Sequence, residues 1–472
     1  MTLYKRYADE LAQLVADGTL QVGERLPSVR EASRRRDLSE MTVLRAYHLL
    51  EARGLIVARP RSGYFVQARP PRPLGRPPRS APPPLATAVD KGAQIHALLT
   101  AIRQPHIVPL GSAFPSPRLL PLKALHGALN RSLRRLDPLR TVADLSPGNP
   151  ELRRLIALRY RGDGIAIDAD DLVITDGALE ALNLCLQAVT RPGDTVILES
   201  PTFYAALQAL ERLHLKAVEV PTDPDTGIDL DALDAAVRQH RPAAVWLMTS
   251  FQNPLGATMP EARRQALVRL LAGHDVPLIE DDVYGELYYG ATRPKPAKAF
   301  DTDGRVLHCA SFSKCLAPGY RIGWAAAGRW TAAVERLKLG SSLSAAVPSQ
   351  LALVDYLSGG GYGRHLRKLR DTLSQARDRV IDAVQQHFPA GTRITRPEGG
   401  YFLWLELPAG IDTRALQQAA LARDISLAPG TLFSAREDFR HGLRLNYGHP
   451  DDPRVLPAIA TLGALIDDLA RR

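Results

Sequence analysis

Residues 311–321 read SFSKCLAPGYR and place one lysine between small hydroxyl residues, with an arginine seven positions later. A lysine amine condenses with an aldehyde to form a Schiff base, and hydroxyl and guanidinium groups bind phosphate through charge-assisted hydrogen bonds. The stretch therefore predicts a pyridoxal phosphate site in which Lys314 forms the Schiff base while Ser311 and Arg321 bind the phosphate. A surface turn with an ordinary lysine and arginine is the alternative, and motifs elsewhere in the chain decide between the two.

Two apolar runs earlier in the chain end in polar residues. Residues 276–284, VPLIEDDVY, are typical of a buried parallel strand that ends in acids and a tyrosine. If Asp281 contacts the pyridine nitrogen of the cofactor, it keeps that nitrogen protonated and the ring can accept electrons. Tyr284, and Asn253 after the run 243–249, are candidates to hydrogen-bond the phenolic oxygen. At least one of the three acids 280–282 must instead cap the following helix.

A third motif, residues 172–180, predicts a strand, a glycine turn and the start of a helix. The backbone amides of Gly177 and Ala178 would face a phosphate there, although such a turn alone is a weak signal. Phe203, which follows another apolar run, either stacks on the cofactor ring or packs in the core, and the two alternatives are nearly even. All these motifs follow the carboxyl ends of apolar strands, where open α/β sheets bind ligands.

The first 66 residues predict a separate, small DNA-binding domain. Apolar residues at helical spacing indicate a helix from Tyr4 to Asp17, and Ser28 and Ser39 are candidate caps of two more helices, the second running from Glu40 to about Arg53. Residues 55–66 favour two short strands around an arginine-bearing turn. Three helices and a basic hairpin together predict a winged helix-turn-helix.

Positive charge is concentrated in the same part of the chain. Residues 1–80 contain 15 Lys and Arg against 8 Asp and Glu, and so account for +7 of the formal net charge of +10. This is the charge distribution expected of a domain that binds the phosphate backbone of DNA. Residues 67–92 are rich in proline and arginine without apolar periodicity, and predict an extended, semi-rigid linker.

Other classes of protein are disfavoured by composition. The three cysteines lack pairing spacing, which indicates a reducing, cytoplasmic environment. The sequence shows neither a leader pattern nor an apolar run of membrane-spanning length, so export and membrane insertion are not expected. The 12 histidines form no ligand-spaced cluster, and no metal site is expected.

From about residue 93 to the end, these motifs resemble those of the fold type I, class I aminotransferases. The resemblance implies an α/β fold with a large domain of mostly parallel mixed sheet at about 145–355 and a smaller α+β domain built from 93–144 and 356–472. It gives Lys314, Asp281, Tyr284 and Asn253 the roles described above. It also implies that Arg444, in the strand GLRLNY at 442–447, binds the substrate α-carboxylate and points away from the apolar face of its strand; a solvated arginine is the alternative.

One position departs from the aminotransferase pattern. Ala178 stands where relatives often carry a serine, so one side-chain ligand of the phosphate is missing while the backbone amides remain. We therefore still expect the chain to bind the cofactor, but we do not expect fast turnover.

The N-terminal sequence LPSVRE at 26–31 is similar to the GntR winged-helix family. The resemblance implies that a recognition helix reads bases and that a wing enters the minor groove. The expected DNA contacts are Arg30, Ser39, Thr42, Arg45, Arg59, Arg61 and Gly63.

A GntR domain at 1–66, a linker at 67–92 and an aminotransferase-like domain at 93–472 together resemble the MocR group of GntR regulators. The resemblance implies a cytoplasmic transcription factor that binds pyridoxal phosphate and double-stranded DNA, responds to an amino-acid-like effector or to the cofactor itself, and forms a head-to-tail homodimer. An active class I aminotransferase with an accessory DNA-binding domain is the main alternative, and transaminase activity stays open. A DNA-binding protein with an inert scaffold would not need Lys314 or Asp281.

Overall fold

The protein folds into two compact units, Met1–Pro73 and Leu74–Arg472. The computed structural model describes residues 3–16, 19–52, 54–59, 62–67, 74–102 and 104–471. Each unit has its own buried apolar core.

The first unit contains three helices and a two-stranded antiparallel hairpin. Leu11, Val43, Tyr47 and Leu50 form part of its core, and the Tyr47 hydroxyl donates to the carbonyl of Pro27 at 2.8 Å. This arrangement agrees with the expected winged helix-turn-helix. The elements are α1 (Leu3–Ala16), α2 (Val29–Arg36), α3 (Glu40–Ala52), β1 (Ile56–Arg59) and β2 (Gly63–Val66).

The second unit contains the remaining helices and strands in a mixed α/β order. Its helices are α4 (Gly92–Ile102), α5 (Leu122–Arg134), α6 (Arg140–Ala143), α7 (Pro150–Gly162), α8 (Ala178–Val189), α9 (Tyr204–Arg212), α10 (Leu230–His240), α11 (Glu261–Gly273), α12 (Thr331–Ser342), α13 (Val347–Ser358), α14 (Gly361–His387), α15 (Thr413–Leu421) and α16 (Val455–Leu469). Its strands are β3 (Thr87–Ala88), β4 (Leu172–Thr175), β5 (Thr195–Ser200), β6 (Lys216–Asp223), β7 (Gly227–Ile228), β8 (Ala244–Leu247), β9 (Leu278–Asp281), β10 (Val306–Ser311), β11 (Gly323–Ala326), β12 (Arg393–Ile394), β13 (Phe402–Glu406), β14 (Ala428–Pro429) and β15 (Gly442–Asn446).

A mixed sheet of nine strands organises this unit, in the order β3-β6-β5-β8-β9-β10-β11-β4, with β7 beside β6. The strands β6, β5, β8, β9 and β10 pair in parallel, whereas β11 runs antiparallel to both β10 and β4. The strands β4, β5, β8, β9 and β10 therefore end at the same edge of the sheet. Their residues are almost entirely buried, which explains the continuous apolar runs in the sequence.

A second sheet of four antiparallel strands has the order β12-β13-β15-β14. The central strand β15 carries Arg444, which lies opposite Trp404 of β13 and Ala428 of β14. Helices α14 and α16 contribute buried apolar residues, among them Leu373 and Ile466, to the same core as Leu403 and Leu445 of this sheet.

Residues 67–92 were expected to form an extended, semi-rigid linker, but the described part of this segment, residues 74–92, is bonded to the second unit. Gly75 forms a bridge with Arg393 at β12, and β3 extends the edge of the nine-stranded sheet by pairing with β6. Backbone hydrogen bonds and ion pairs with Asp225 and Asp229 bind much of the segment, and such contacts leave no apolar periodicity in the sequence.

Within the described residues, no helix is long and apolar enough to cross a membrane.

Candidate cofactor and DNA-binding sites

A cavity of about 220 Å³ opens where the parallel strands of the large sheet end. It brings together seven of the residues expected from the sequence to bind a cofactor, although they come from four distant parts of the chain. These residues are Ala178, Phe203, Asp281, Tyr284, Ser311, Lys314 and Arg321.

Lys314 is half-buried in this cavity, three residues beyond the end of β10. Its Nζ donates to the carbonyl oxygen of Ala113 at 2.9 Å and lies 3.9 Å from the centre of the Phe114 ring. Burial, together with the nearby charges of Arg444 and Arg321, lowers the pKa of Lys314 to about 7. The amine is therefore available as a nucleophile near neutral pH.

Asp281 is the last residue of β9 and is buried beside Cys309 of β10. Burial raises the pKa of its carboxyl group to about 7, against the opposing effect of the Val283 amide, which donates to Oδ1 at 3.3 Å. Among the described residues, no cationic side chain donates a hydrogen bond to this carboxyl group. The group can therefore accept a hydrogen bond from a ligand. Burial also raises the pKa of Tyr284, whose ring contacts Tyr401 edge-on at 5.4 Å.

The end of the cavity near Arg321 is positively charged. Arg321 donates to the Ser313 hydroxyl at 3.1 Å and to the carbonyl of Asp176 at 2.9 Å, which places its guanidinium beside the turn at Gly177. Gly177 adopts a φ of 90° that favours glycine, and α8 begins at the next residue. The helix N-terminus and the guanidinium together form an anion-binding site. Ser313, which lines the cavity, was missed by the sequence analysis although it lies in the decisive stretch; the Ser311 hydroxyl accepts from its amide at 3.3 Å.

Arg444 is fully buried, which rules out the solvated alternative. Its guanidinium donates to Asn253 Oδ1 at 3.0 Å and to the carbonyl oxygens of Gly111 at 2.7 Å and Ser112 at 3.2 Å. The ring of Phe402 lies 4.3 Å from its Cζ. Aromatic rings cover the charge, and the three oxygens accept hydrogen bonds from its two terminal nitrogens.

The segment 111–114 was not recognised from the sequence, yet it touches both candidate ligand-binding cations. Gly111 and Ser112 supply carbonyl oxygens to Arg444, and Ala113 and Phe114 contact Lys314. No local motif identifies this segment, because its role comes only from tertiary contacts with residues far along the chain.

The side chains present fit pyridoxal phosphate. The Asn253 Nδ2 and Arg444 Nε atoms are buried without a hydrogen-bond partner, and a ligand carrying an oxygen would satisfy such donors. Phe203, half-buried on the cavity wall at 4.8 Å from the Tyr204 ring, offers a ring face for stacking. Among the described residues, no group of three or more His, Cys, Asp or Glu could hold a metal ion.

The first unit presents its candidate DNA contacts on the exposed side of α2 and α3. Ser28 caps α2 and accepts from the Glu31 amide at 3.2 Å, as the sequence predicted. Ser39 accepts from the Thr42 amide at 3.1 Å, and Arg45 lies exposed one helical turn further along α3. Helix α3 is therefore capped at the end that carries these candidate side chains.

Two further candidate contacts carry positive charge near α3 and in the hairpin. Arg30 is exposed, 3.9 Å from Glu40. Arg59, at the end of β1, lies over the Phe65 ring at 4.4 Å, and Gly63 begins β2 with a φ of 96°. Arg61 lies outside the described residues.

Comparison with known protein families identifies two matches along the chain. Residues 128–455 match the family described as aminotransferase class I and II. Residues 3–66 match the family described as bacterial regulatory proteins, gntR family.

Individual relatives match either nearly the whole chain or about four fifths of it. The chain is 48% identical over 469 residues to the HTH-type transcriptional regulator YdcR of Escherichia coli, covering 99% of this chain and 100% of that protein. It is 32% identical to the aromatic-amino-acid aminotransferase 1 of Thermococcus litoralis, over 80% of this chain and 92% of the relative. The crystal structure of the multiple substrate aminotransferase from Thermococcus profundus matches 81% of this chain and 96% of its own, with a TM-score of 0.74 and 28% identity.

The lowered pKa of Lys314 predicts how the rate of reaction with added pyridoxal phosphate depends on pH. Only the neutral amine attacks a carbonyl, so the rate should rise with pH up to about 7 and then level off. Stopped-flow absorbance measures this rate. An ordinary lysine would instead gain about tenfold per pH unit as far as pH 9 or 10, and such a profile would contradict the buried environment of the amine.

Close packing behind the phosphate turn predicts a second outcome. A Cβ atom at Gly323 would lie 2.5 Å from the carbonyl carbon of Gly177 and 2.6 Å from the amide nitrogen of Ala178, so Gly323→Ala must displace the turn. Overpacking against backbone costs about 1–3 kcal/mol, and the affinity for pyridoxal phosphate in an absorbance titration should fall roughly tenfold. Gly319→Ala is the matched control, because nothing lies within 4 Å of its Cβ position. Equal affinity in the two variants would show that the turn does not hold the phosphate.

Proposed function

This chain belongs to the class I and II aminotransferase family and carries a gntR-family DNA-binding domain, as MocR-type regulators do; from that premise we propose that it is a transcriptional regulator that senses an amino compound through pyridoxal phosphate. The observation that carries the proposal is the cavity in which Lys314, Asp281 and Arg321 meet, in a chain that also contains a winged helix. We further propose that it acts in the cytoplasm, where the chromosome of a bacterium lies.

The proposed cofactor roles follow from the geometry of the cavity. Pyridoxal phosphate, when bound, supplies an aldehyde that captures amines and a ring that withdraws electrons from the captured carbon. Lys314 would supply the amine that holds the cofactor, and Asp281 would keep a proton on the pyridine nitrogen. The phenolic oxygen would accept hydrogen bonds from Tyr284 and from the unpartnered Nδ2 of Asn253.

The phosphate would bind at the positively charged end of the cavity. Arg321 would pair with its oxygens, joined by the Ser313 and Ser311 hydroxyls and by the backbone amides at Gly177 and Ala178. Phe203 would cover one face of the ring.

An amino-acid effector would be recognised through its two charged groups. Its amine would react at the cofactor held by Lys314, and its carboxylate would pair with the planar guanidinium of Arg444. That guanidinium contacts the carbonyl oxygens of Gly111 and Ser112, so the effector must displace the segment 111–114. Binding is thereby coupled to a movement of the chain, which is the requirement for a sensor.

Transaminase activity is a second candidate function, favoured by one specific observation. The side chains required for chemistry at the α-carbon, Lys314, Asp281, Tyr284 and Arg444, are all present, and the lysine has a pKa of about 7. The chain would then convert the amino acid that it senses, at a rate limited by the missing side-chain phosphate ligand at Ala178.

We also propose a homodimer, with subunits arranged head to tail. Leu145, Leu179 and Leu343 are exposed apolar residues. The segments that carry them lie close together, since the Ser146 amide donates to the Leu343 carbonyl and the Ser342 hydroxyl donates to Glu180. An exposed apolar face beside the cavity is typical of an interface between subunits, and Leu179 also lines the cavity.

The DNA-binding roles predict a contrast between two arginine variants. Arg45→Ala removes a side chain of the recognition helix and should weaken binding to the preferred operator by about 1–3 kcal/mol, with little effect on random DNA. Arg59→Ala removes a phosphate contact of the wing and should weaken both equally while reducing the salt slope by about 1. Fluorescence anisotropy at several salt concentrations measures both. Proportional losses on operator and random DNA for Arg45→Ala would contradict base recognition by α3.

The sensing role predicts that Arg444→Lys abolishes the response to amino acids. Lysine keeps the charge but lacks the bidentate geometry. L-Alanine, L-aspartate, L-leucine and L-phenylalanine serve as probes; at least one should change the operator affinity of the wild type by roughly 5- to 150-fold, and none should change that of the variant. Operator affinity without added amino acid is the control for folding. An unchanged response in Arg444→Lys would show that the signal is not a carboxylate-bearing amine.

A further inference from the structure

The turn that precedes α8 is held by a buried lysine that takes no direct part in the proposed chemistry. Lys338 of α12 is fully buried, and its Nζ donates to Asp176 Oδ2 at 2.9 Å, Glu180 Oε2 at 2.8 Å and the Ser342 hydroxyl at 2.8 Å. Its three protons therefore each have an acceptor. A buried lysine requires this degree of pairing, because an unpaired charge would cost several kcal/mol.

All three polar groups of Asp176 are bonded to different partners. Lys338 holds its carboxylate, the Glu180 carboxylate accepts from its amide at 2.6 Å, and Arg321 binds its carbonyl oxygen at 2.9 Å. The next residue is Gly177, at the start of the anion-binding turn. Lys338 and Arg321 therefore fix this turn from two sides.

We propose that Lys338 is a positioning residue for the cofactor phosphate, acting through Asp176 and Glu180 on the turn at Gly177. Because Ala178 has no hydroxyl, the backbone amides of the turn are its remaining donors to the phosphate. Lys338 would hold these amides in place. The inference rests on the proposed cofactor site.

Pyridoxal, which lacks the phosphate, separates positioning from general folding. In Lys338→Met with Glu180→Gln, which avoids an unpaired buried carboxylate, the affinity for pyridoxal phosphate should fall roughly tenfold, a loss of about 1.4 kcal/mol. The affinity for pyridoxal should stay within about twofold, and Lys338→Arg should restore most of the loss. Both affinities are measured by absorbance titration.

Lys91 provides the matched control, since it is also a buried lysine, paired with Glu437 and the Thr431 carbonyl rather than with the phosphate turn. Lys91→Met should leave the ratio of the two affinities unchanged. A parallel loss for pyridoxal and pyridoxal phosphate in the Lys338 variant, or no loss, would overturn the assignment. Failure of the wild type to bind pyridoxal phosphate would instead overturn the proposed function.

Discussion

The parallel hydrogen bonding of β5, β8, β9 and β10 brings four distant segments of the chain to one edge of the large sheet. Each strand is largely buried, and the residues that reach the ligand site lie at its end or shortly beyond it. Phe203, Asn253, Asp281 and Lys314 come within reach of one ligand for this reason alone. A change that broke this pairing would separate all four, whereas the loops between the strands are free to vary.

Burial of the ionisable side chains at this edge of the sheet shifts their pKa values. Desolvation lowers the pKa of Lys314 and raises the pKa of Asp281, so both pKa values lie near 7 without a ligand. Arg444 donates hydrogen bonds to the oxygens of Asn253 and Gly111. In the proposed function, a bound cofactor and an amino acid would supply the missing partners, and the site would be more stable when occupied.

The sequence predicted the parts of the site that lie in local motifs. Asp281, Lys314 and Arg321 follow apolar strands or lie in one short stretch, and Ser28 stands at a helix cap, so their positions could be inferred without tertiary contacts. The segment 111–114 could not be found in this way, because only the fold brings it to Lys314. The burial of Arg444 was also missed, since strand alternation gives a direction but not what covers the side chain. Residues 67–92 were predicted to be an extended, semi-rigid linker, and the contacts of residues 74–92 were missed because backbone atoms and carboxylates far along the chain make them.

Reduction with borohydride followed by peptide mass mapping tests the central claim most directly. The protein is incubated with pyridoxal phosphate, reduced to fix any lysine-linked cofactor, and digested. We expect the pyridoxyl mass on the peptide that contains Lys314, one cofactor per chain, and no specific label in Lys314→Ala. Labelling spread over surface lysines, or the same label in the variant, would contradict a cofactor-dependent regulator built on Lys314.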